Sequence, residues 1–260
     1  MTWPGLLPVA VLLSSLLPGL VIFTLAERRT RLRTTLNLSA AVIKLLLIAA
    51  MLWGVARREH FEFRFELLPG IDFALIADPF SLLFLVLSAQ LWFLTTVYAV
   101  GYLEGSPNRS RFFGFFSLCV TATSGVAMAG NLITFILFYE LLTLSTYPLV
   151  VHRGTKQAKE AGRVYLAYTV TGGAVLLLGA VWLHSVTGSL EFAARGLFTG
   201  GAEGREDTLR MIFLLLIVGV GVKAAIVPLH GWLPRAMVAP APVSALLHAV
   251  AVVKAGAFGI

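Results

Sequence analysis

The amino-acid sequence predicts an all-α, polytopic transmembrane helical bundle, and two observations carry this prediction: a shortage of charge and a series of long uncharged stretches. Of the 260 residues, 58% are hydrophobic and only 13% are charged, with a mean hydropathy of +0.88. Soluble proteins carry about 25% charged residues. Residues 2–26, 80–103 and 112–139 contain no charged side chain, and each stretch exceeds the roughly 20 apolar residues that a bilayer-spanning helix needs.

The apolar segments divide the chain into about eight spans. These are residues 4–26, 34–56, 78–100, 111–130, 131–151, 164–187, 209–236 and 243–260. Only Gly130 and Asn131 separate spans four and five, so the chain must reverse direction there. Span seven would reach about 42 Å as one helix. Because Pro228 lacks an N–H and clashes with the carbonyl of Ala224, we expect this helix to be broken.

Between spans two and three, phenylalanine recurs at every second position, at Phe61, Phe63 and Phe65. This is a strand period and predicts a short β-hairpin outside the membrane. Asp78, followed by Pro79, is predicted to cap the third helix. We therefore divide the chain into residues 1–110, three helices with an outer hairpin, and residues 111–260, helices four to eight with the last one cut short.

The distribution of Lys and Arg predicts the orientation. Loops after the odd-numbered spans hold eleven: Arg28, Arg29, Arg31, Arg33, Arg109, Arg111, Arg153, Lys156, Lys159, Arg163 and Arg235. Loops after the even-numbered spans hold six: Arg57, Arg58, Arg64, Arg195, Arg205 and Arg210. By the positive-inside rule the first set is cytoplasmic, so the N-terminus faces outward.

Several functional classes are excluded by composition. The single Cys119 leaves no intrachain disulfide, zinc cluster or cysteine-ligated iron–sulfur centre. There is no metal site, no phosphate-binding glycine loop and no group that would ligate haem or bind flavin, so we expect no cofactor. The net charge of +7 follows from loop asymmetry and does not predict nucleic-acid binding. Any redox chemistry would belong to partner subunits.

Four ionisable residues remain inside the spans: Lys44, Glu140, Lys223 and Lys254. Each would cost roughly 2.5–3.5 kcal/mol at the bilayer centre. They must therefore face the bundle interior, pair or be hydrated, and such residues are functional candidates by default. Lys44 is the weakest candidate, because its span shows no partner. A packing or lipid-facing role is at least as well supported for it.

Glu140 shares a helical face with Thr143 and Tyr147, a polar stripe of the kind that a water-lined proton path needs. The alternative is a structural glutamate that joins two helices by hydrogen bonds. Lys223 follows Gly219 and precedes the predicted break. A lysine at a discontinuous helix is a recurrent feature of transporters.

Two histidines extend this set. A continued seventh helix would bring His230 onto the face of Lys223, seven residues away. His248 and Lys254 are six residues apart, about 9 Å of rise and about 120° of rotation in a regular helix, so only water could bridge them. Histidine titrates near neutral pH and is suited to proton transfer. A purely structural role for each histidine remains the alternative.

The segment 223–256 (KAAIVPLHGWLPRAMVAPAPVSALLHAVAVVKAG) resembles the signature of the proton-conducting antiporter-like family. This family includes the A-type and D-type subunits of Mrp-type cation/proton antiporters, membrane-arm subunits of respiratory complex I and subunits of membrane-bound hydrogenases. Residues 138–148 (FYELLTLSTYP) are similar to the glutamate-bearing helix of the family, and 78–84 (DPFSLLF) to the start of its third helix. Among the subfamilies, the D-type subunit of the Mrp antiporters looks closest.

The resemblance implies roles for five residues: Glu140 as the partner of Lys223, Lys254 as the central lysine that passes protons onward, and His248 and His230 near the water path. It also implies a fold of two inverted five-helix units, of which this chain would hold the first half, as a fragment. The implied function is a proton-translocating subunit of a multisubunit cation/proton antiporter.

The resemblance also implies a setting. We expect other membrane subunits as partners, protons and sodium or potassium as transported ions, and a multi-pass location in a bacterial plasma (inner) membrane. The alternatives are a proton-pumping subunit of NADH:quinone oxidoreductase or of a hydrogenase, and a non-transporting scaffold subunit.

Overall fold

The computed structural model describes residues 3–192 and 205–260, which form a helical bundle with one β-hairpin. In chain order the elements are α1 (Trp3–Thr24), α2 (Thr30–Ala56), β1 (Phe61–Leu68), β2 (Ile71–Ala77), α3 (Pro79–Tyr102), α4 (Arg109–Ala127), α5 (Leu132–Val150), α6 (Lys156–Thr187), α7 (Glu206–Ala224), a 3-10 turn (Leu229–Gly231), α8 (Trp232–Ala236), α9 (Ala241–Ala245), a π-helical turn (Leu246–Val250) and α10 (Val252–Phe258). The arginine at position 195, counted in an outer loop, lies outside the described residues.

Within residues 3–192 and 205–260, seven helical segments are long and apolar enough to cross a membrane. They are Gly5–Thr24, Thr30–Ala56, Pro79–Tyr102, Leu132–Val150, Lys156–Thr187, Glu206–Ala236 and Ala241–Phe258. The predicted fourth span is α4, whose Arg, Ser and Thr residues reduce its hydropathy. It is nevertheless almost entirely buried and packs against both α1 and α5. The predicted all-α transmembrane bundle is confirmed.

Side-chain caps set the helix ends. Asp78 begins α3 as predicted: its Oδ1 accepts a hydrogen bond from Ser81 N at 2.7 Å, and Ser81 Oγ accepts one from Asp78 N at 2.8 Å. The start of α6 lies eight residues before the predicted position 164, because Thr155 Oγ1 accepts from Ala158 N at 3.2 Å. The basic residues that follow Thr155 therefore belong to the helix and not to a loop.

The predicted hairpin is confirmed as an antiparallel pair in which Phe61 faces Ala77 and Phe65 faces Phe73. It lies across the short connection between α4 and α5. Ile76 N donates a hydrogen bond to Met128 O at 2.7 Å, and Gly130 N donates one to Ala74 O at 2.9 Å. The hairpin thus covers the turn at which the chain reverses between these helices.

The seventh and eighth spans are both interrupted. Helix α7 ends at Ala224, and Ala225 adopts a left-handed conformation (φ +56°) that is uncommon for a residue with a β-carbon. The predicted break is therefore present. The eighth span is not the single helix that its hydropathy predicts, because a π-helical turn at Leu246–Val250 and a distorted residue at Ala251 (φ −135°, ψ −73°) divide it.

Candidate functional site

Glu140 and Lys223 meet in the interior of the bundle. Glu140 projects from the middle of α5, and Lys223 is the penultimate residue of α7, directly before the break. The Nζ atom of Lys223 lies 3.8 Å from Oε1 of Glu140. The lysine side chain is fully buried, whereas 33% of the glutamate side chain is exposed. Two intramembrane charges of opposite sign thus form an ion pair that is too long for a hydrogen bond.

Tyr139 organises this pair, although the sequence did not single it out. Its backbone carbonyl accepts a hydrogen bond from Lys223 Nζ, and its ring centre lies 3.2 Å from the same atom. Its hydroxyl donates to the carbonyls of Gly219 and Val220, at 3.1 and 3.3 Å. Consecutive helical residues point about 100° apart, so a search along the face of Glu140 passes over Tyr139. The tyrosine holds the last turn of α7 against α5.

Of the polar residues predicted to share the face of Glu140, Thr143 lies at the ion pair. Thr143 is fully buried, and its hydroxyl donates to Tyr139 O at 3.4 Å, the same carbonyl that Lys223 contacts. On the opposite side, Gly173 of α6 faces the carboxylate. A β-carbon at this glycine would overlap the carboxylate of Glu140. Helix α6 can therefore approach the pair only because this residue has no side chain.

The break beside Lys223 is closed by other parts of the chain. Val222 O, which the break leaves without its regular helical partner, accepts from Trp232 Nε1 of α8 at 2.7 Å. Gly256 of α10 packs directly on the backbone of Lys223 and Ala224, and a β-carbon there would overlap this backbone. The helix that carries Lys254 is thus seated against the break.

The remaining predicted residues are not joined to the pair by direct contacts. His230 and His248 are exposed and Lys254 is partly buried. Within residues 3–192 and 205–260, the side chains of these three residues make no hydrogen bond or ion pair with one another, with Glu140 or with Lys223. His230 does not share the face of Lys223, because α7 does not continue. The regular-helix spacing expected between His248 and Lys254 is also wrong, because the π-helical turn lies between them.

Lys44 has an environment that the sequence did not predict. Its side chain is 1% exposed, and Nζ donates to Ser124 Oγ of α4 at 2.8 Å. The lipid-facing alternative is therefore wrong. The partner was not visible in the sequence because it lies 80 positions away on another helix.

A second polar cluster fastens the hairpin to the segment that follows α6. Arg64 of β1 donates to both carboxylate oxygens of Glu191, at 2.9 and 3.0 Å, and to Asp72 at 3.0 Å. The hydrogen bonds that Arg64 donates lower the pKa of Glu191, and the carboxylates of Glu191, Asp72 and Glu62 that accept them raise the pKa of Arg64. Within the described part of the chain, no three His, Cys, Asp or Glu side chains are grouped closely enough to hold a metal ion.

Comparison with known proteins places this arrangement in a family. Residues 129–260 match the family model described as "NADH:quinone oxidoreductase/Mrp antiporter, TM", and residues 69–113 match "NADH-Ubiquinone oxidoreductase (complex I), chain 5 N-terminus". The chain belongs to the NADH:quinone oxidoreductase/Mrp antiporter membrane family. The resemblance inferred from the sequence is confirmed.

Members of this family with curated names include both antiporter and respiratory subunits. The chain is 33% identical over 221 residues to the A/B subunit of a probable K(+)/H(+) antiporter of Rhizobium meliloti (strain 1021), covering 84% of this chain and 22% of that protein. It is 32% identical over 256 residues to NADH-quinone oxidoreductase subunit L of Mycobacterium tuberculosis (strain ATCC 25618 / H37Rv), covering 93% and 40%. The chain thus spans well under half the length of these relatives.

The fold of this family member is also found in a solved complex. A chain in the structure of the Mrp complex from Dietzia sp. DQ12-45-1b superposes with a TM-score of 0.82 at 24% identity, over 98% of this chain and 47% of that chain. At this identity the likeness establishes the fold alone.

Proposed function

We propose that this chain acts in a proton-translocating membrane subunit of a multisubunit cation/proton antiporter. The observation that carries the proposal is the buried pair of Glu140 and Lys223 at a broken helix. Burying a lysine beside a carboxylate in a membrane-spanning bundle costs free energy. Residues of this kind mark ion pathways.

The pair is suited to controlling a proton. At about 4 Å and an effective dielectric constant near 20, two unit charges attract each other by roughly 4 kcal/mol. Moving the partly exposed Glu140 away from Lys223 removes an attraction that keeps the proton on the lysine. Moving one charge through 100 mV costs about 2.3 kcal/mol, so a rearrangement of this pair is large enough to drive a proton against such a potential.

The onward path would run from Lys223 to Lys254, with His248 and His230 beside it. The contact of Gly256 with the backbone of Lys223 seats the helix of Lys254 next to the break. Because these side chains make no direct contact within the described residues, water must connect them. We propose the unit of residues 111–260 as the part that carries this relay.

The test uses the full-length chain, produced with its partner subunits, in everted membrane vesicles. Addition of sodium or potassium should collapse a pre-formed pH gradient, which is measured by the fluorescence of acridine orange. We expect Glu140→Gln and Lys223→Met to reduce this response at least ten-fold with unchanged assembly. Glu104→Gln, which alters an exposed carboxylate outside the helices, serves as the control and should respond normally. Wild-type activity in both pair variants would refute the proposed relay.

The same experiment separates the transporter from a scaffold. In a subunit that only anchors partners, the pair would be an architectural bridge. Lys223→Met would then assemble and leave the activity of the complex intact.

The second candidate is a proton-pumping subunit of a complex I-like or hydrogenase-like enzyme. The match of residues 69–113 to the complex I chain 5 N-terminus favours it. Purification of the native complex distinguishes the two, since iron–sulfur subunits and NADH- or hydrogen-driven proton uptake belong only to the second.

Within the antiporters, the similarity to an A/B-type subunit favours the A type over the predicted D type. A location in a bacterial inner membrane, with other membrane subunits, is part of this proposal.

A further inference from the structure

Lys44 is a buried cation that the proposed relay does not use. Its Nζ has one hydrogen-bond partner in the described chain, Ser124 Oγ at 2.8 Å, and no carboxylate of the described residues lies within 4 Å of it. The hydroxyl of Ser124 itself donates to Val120 O at 2.9 Å, so it can only accept from the lysine. An ammonium group has three N–H donors. Two of them therefore need other acceptors.

Helix α3 presents unsatisfied polar groups on one face beside this lysine. Ser88, Trp92 and Thr96 are spaced four residues apart, and their side chains are 4%, 0% and 0% exposed. The atoms Ser88 Oγ, Trp92 Nε1 and Thr96 Oγ1 have no partner among the described residues. Lys44 Nζ lies 5.8 Å from the centre of the Trp92 ring. Each buried orphan group costs about 1–3 kcal/mol, and internal water with two to four polar partners removes that cost.

Three separate polar contacts between α2 and α4 lie at intervals from this lysine to the end of the bundle where both helices begin. We call this set the polar seam, and it consists of Arg33, Asn37 and Lys44 on α2 with Ser110, Ser117 and Ser124 on α4. The contacts are Arg33 to Ser110 at 2.9 Å, Ser117 to Asn37 at 3.3 Å and Lys44 to Ser124. The rise of α2 from Arg33 to Lys44 is about 16 Å.

At the end formed by Arg33 and Ser110, which are 2% and 5% exposed, the polar seam is covered by a carboxylate that lies at the protein surface. Glu27 accepts a hydrogen bond from Ser110 N at 3.0 Å, and 48% of its side chain is exposed. This carboxylate therefore joins the surface to the first polar contact of the seam.

We infer that Lys44 is the centre of a second hydrated site, at which it exchanges a proton with water that reaches it along the polar seam. The proton passes from Nζ to a neighbouring water, leaves as a hydrated proton towards Glu27 and is replaced from the same side. The ligand of the site is therefore water with its excess proton. Helices α2, α3 and α4 build it, whereas α5, α6 and α7 hold Glu140 and Lys223.

Few other ionisable groups face this site. Helices α1 (Trp3–Thr24) and α3 (Pro79–Tyr102) carry no charged residue. The tyrosines of α3, Tyr98 and Tyr102, are exposed. On α4 the arginines lie in the first turn, and Cys119 makes its hydrogen bonds to Ser145 and Thr146 of α5. Among the described residues, Lys44 is thus the only side chain that can exchange a proton at the buried end of the polar seam, next to Ser124.

Hydroxyl-radical footprinting by X-ray radiolysis tests the hydration, on the full-length chain in its complex. Radicals generated from internal water should oxidise Trp92 although it is fully buried. After correction for intrinsic reactivity, we expect its rate to be several-fold above that of buried Phe112. Lys44→Met should lower the rate several-fold, whereas Ile48→Met, one helical turn deeper, should not. A rate for Trp92 equal to that of Phe112 would show a dry site and overturn the inference.

Charge-conserving substitution tests the proton exchange. Arginine keeps the positive charge but does not release a proton. In the wild type, the oxidation rate of Trp92, normalised to that of Phe112, should therefore fall several-fold when the pH is raised far enough for Lys44 to lose the proton whose charge holds the water. Lys44→Arg keeps its charge and should keep this rate constant over the same pH range. The same pH dependence in Lys44→Arg, or none in the wild type, would reduce Lys44 to a fixed charge and refute the exchange. Lys223→Met should leave the oxidation of Trp92 unchanged. The hydrated site at Lys44 and the proposed relay at Lys223 are therefore tested independently of each other.

Discussion

At the scale of single residues, Lys223 depends on a neighbour that does not share the helical face of Glu140. Lys223 is held by the carbonyl and ring of Tyr139 as well as by Glu140. The sequence identified both charged members, because a charge inside an apolar run is conspicuous. It did not identify Tyr139, because an aromatic residue in such a run has no distinguishing pattern.

The first prediction concerns Gly173. We expect Gly173→Ala to displace the carboxylate of Glu140, since the new methyl group would occupy its position. Transport should fall at least ten-fold, with a smaller loss of assembled protein. Acridine orange fluorescence and quantification of the complex in membranes would measure both.

Gly101→Ala is the matched control for this change. Gly101 also lies in a helix, and an added β-carbon there meets no atom of the described residues within 4 Å. Alanine favours a helix by about 1 kcal/mol over glycine, so this variant should be as stable as the wild type or more stable. Equal transport by both variants would contradict the role of Gly173 in placing the glutamate.

At the scale of elements, the interruption of span seven places Lys223 at a helix end beside Glu140, and span eight is interrupted as well. The sequence predicted the first break, because proline has a defined steric effect on the residues before it. It did not predict the π-helical turn at Leu246–Val250. No proline or glycine within the turn marks it in the sequence. Turns of the π type are frequent at functional sites.

The clamp between the hairpin and Glu191 carries the second prediction. Because Arg64 lowers the pKa of Glu191, the clamp stabilises the protein above the ordinary carboxyl value of 4.5 and is lost as the pH falls through the lower pKa. Partly exposed pairs contribute little. We expect Glu191→Gln to lower the unfolding temperature in detergent by about 1–3 °C at pH 7. This difference should shrink as the pH falls below 4.5 and vanish once the pH is below the lowered pKa of Glu191.

Glu104→Gln provides the comparison, since Glu104 is exposed and makes no ion pair with the described residues. It should shift the unfolding temperature at neither end of this pH range. A difference for Glu191→Gln that grew as the pH fell would have the wrong sign and would rule out the clamp.

At the scale of the whole molecule, the charge distribution predicts which side of the membrane each connection faces. With the N-terminus outside, the hairpin lies on the outer surface and the connection between α3 and α4 in the cytoplasm. The eleven to six ratio of basic residues supports this orientation.

The third prediction tests that orientation with single cysteines in a background of the full-length protein from which Cys119 and any further cysteine have been replaced by serine. Leu67→Cys, on the hairpin, should react with a membrane-impermeant maleimide in intact cells. Glu104→Cys should react only in everted vesicles. The reverse pattern of labelling would place the N-terminus in the cytoplasm.

Sequence alone was sufficient to predict that the chain spans a membrane, the approximate positions of the spans, the hairpin after span two and the charges of Lys44, Glu140, Lys223 and Lys254 within apolar segments. Each of these features is written in local composition or spacing. Which of those charges meet depends on helix packing and became visible in the three-dimensional fold. Glu140 and Lys223 come within 3.8 Å, whereas the histidines and Lys254 do not join them directly, and Lys44 finds Ser124 on another helix. The physical reason is that contacts between helices depend on how two faces pack. Glycines without side chains, such as Gly173 and Gly256, set how closely those faces approach at this site.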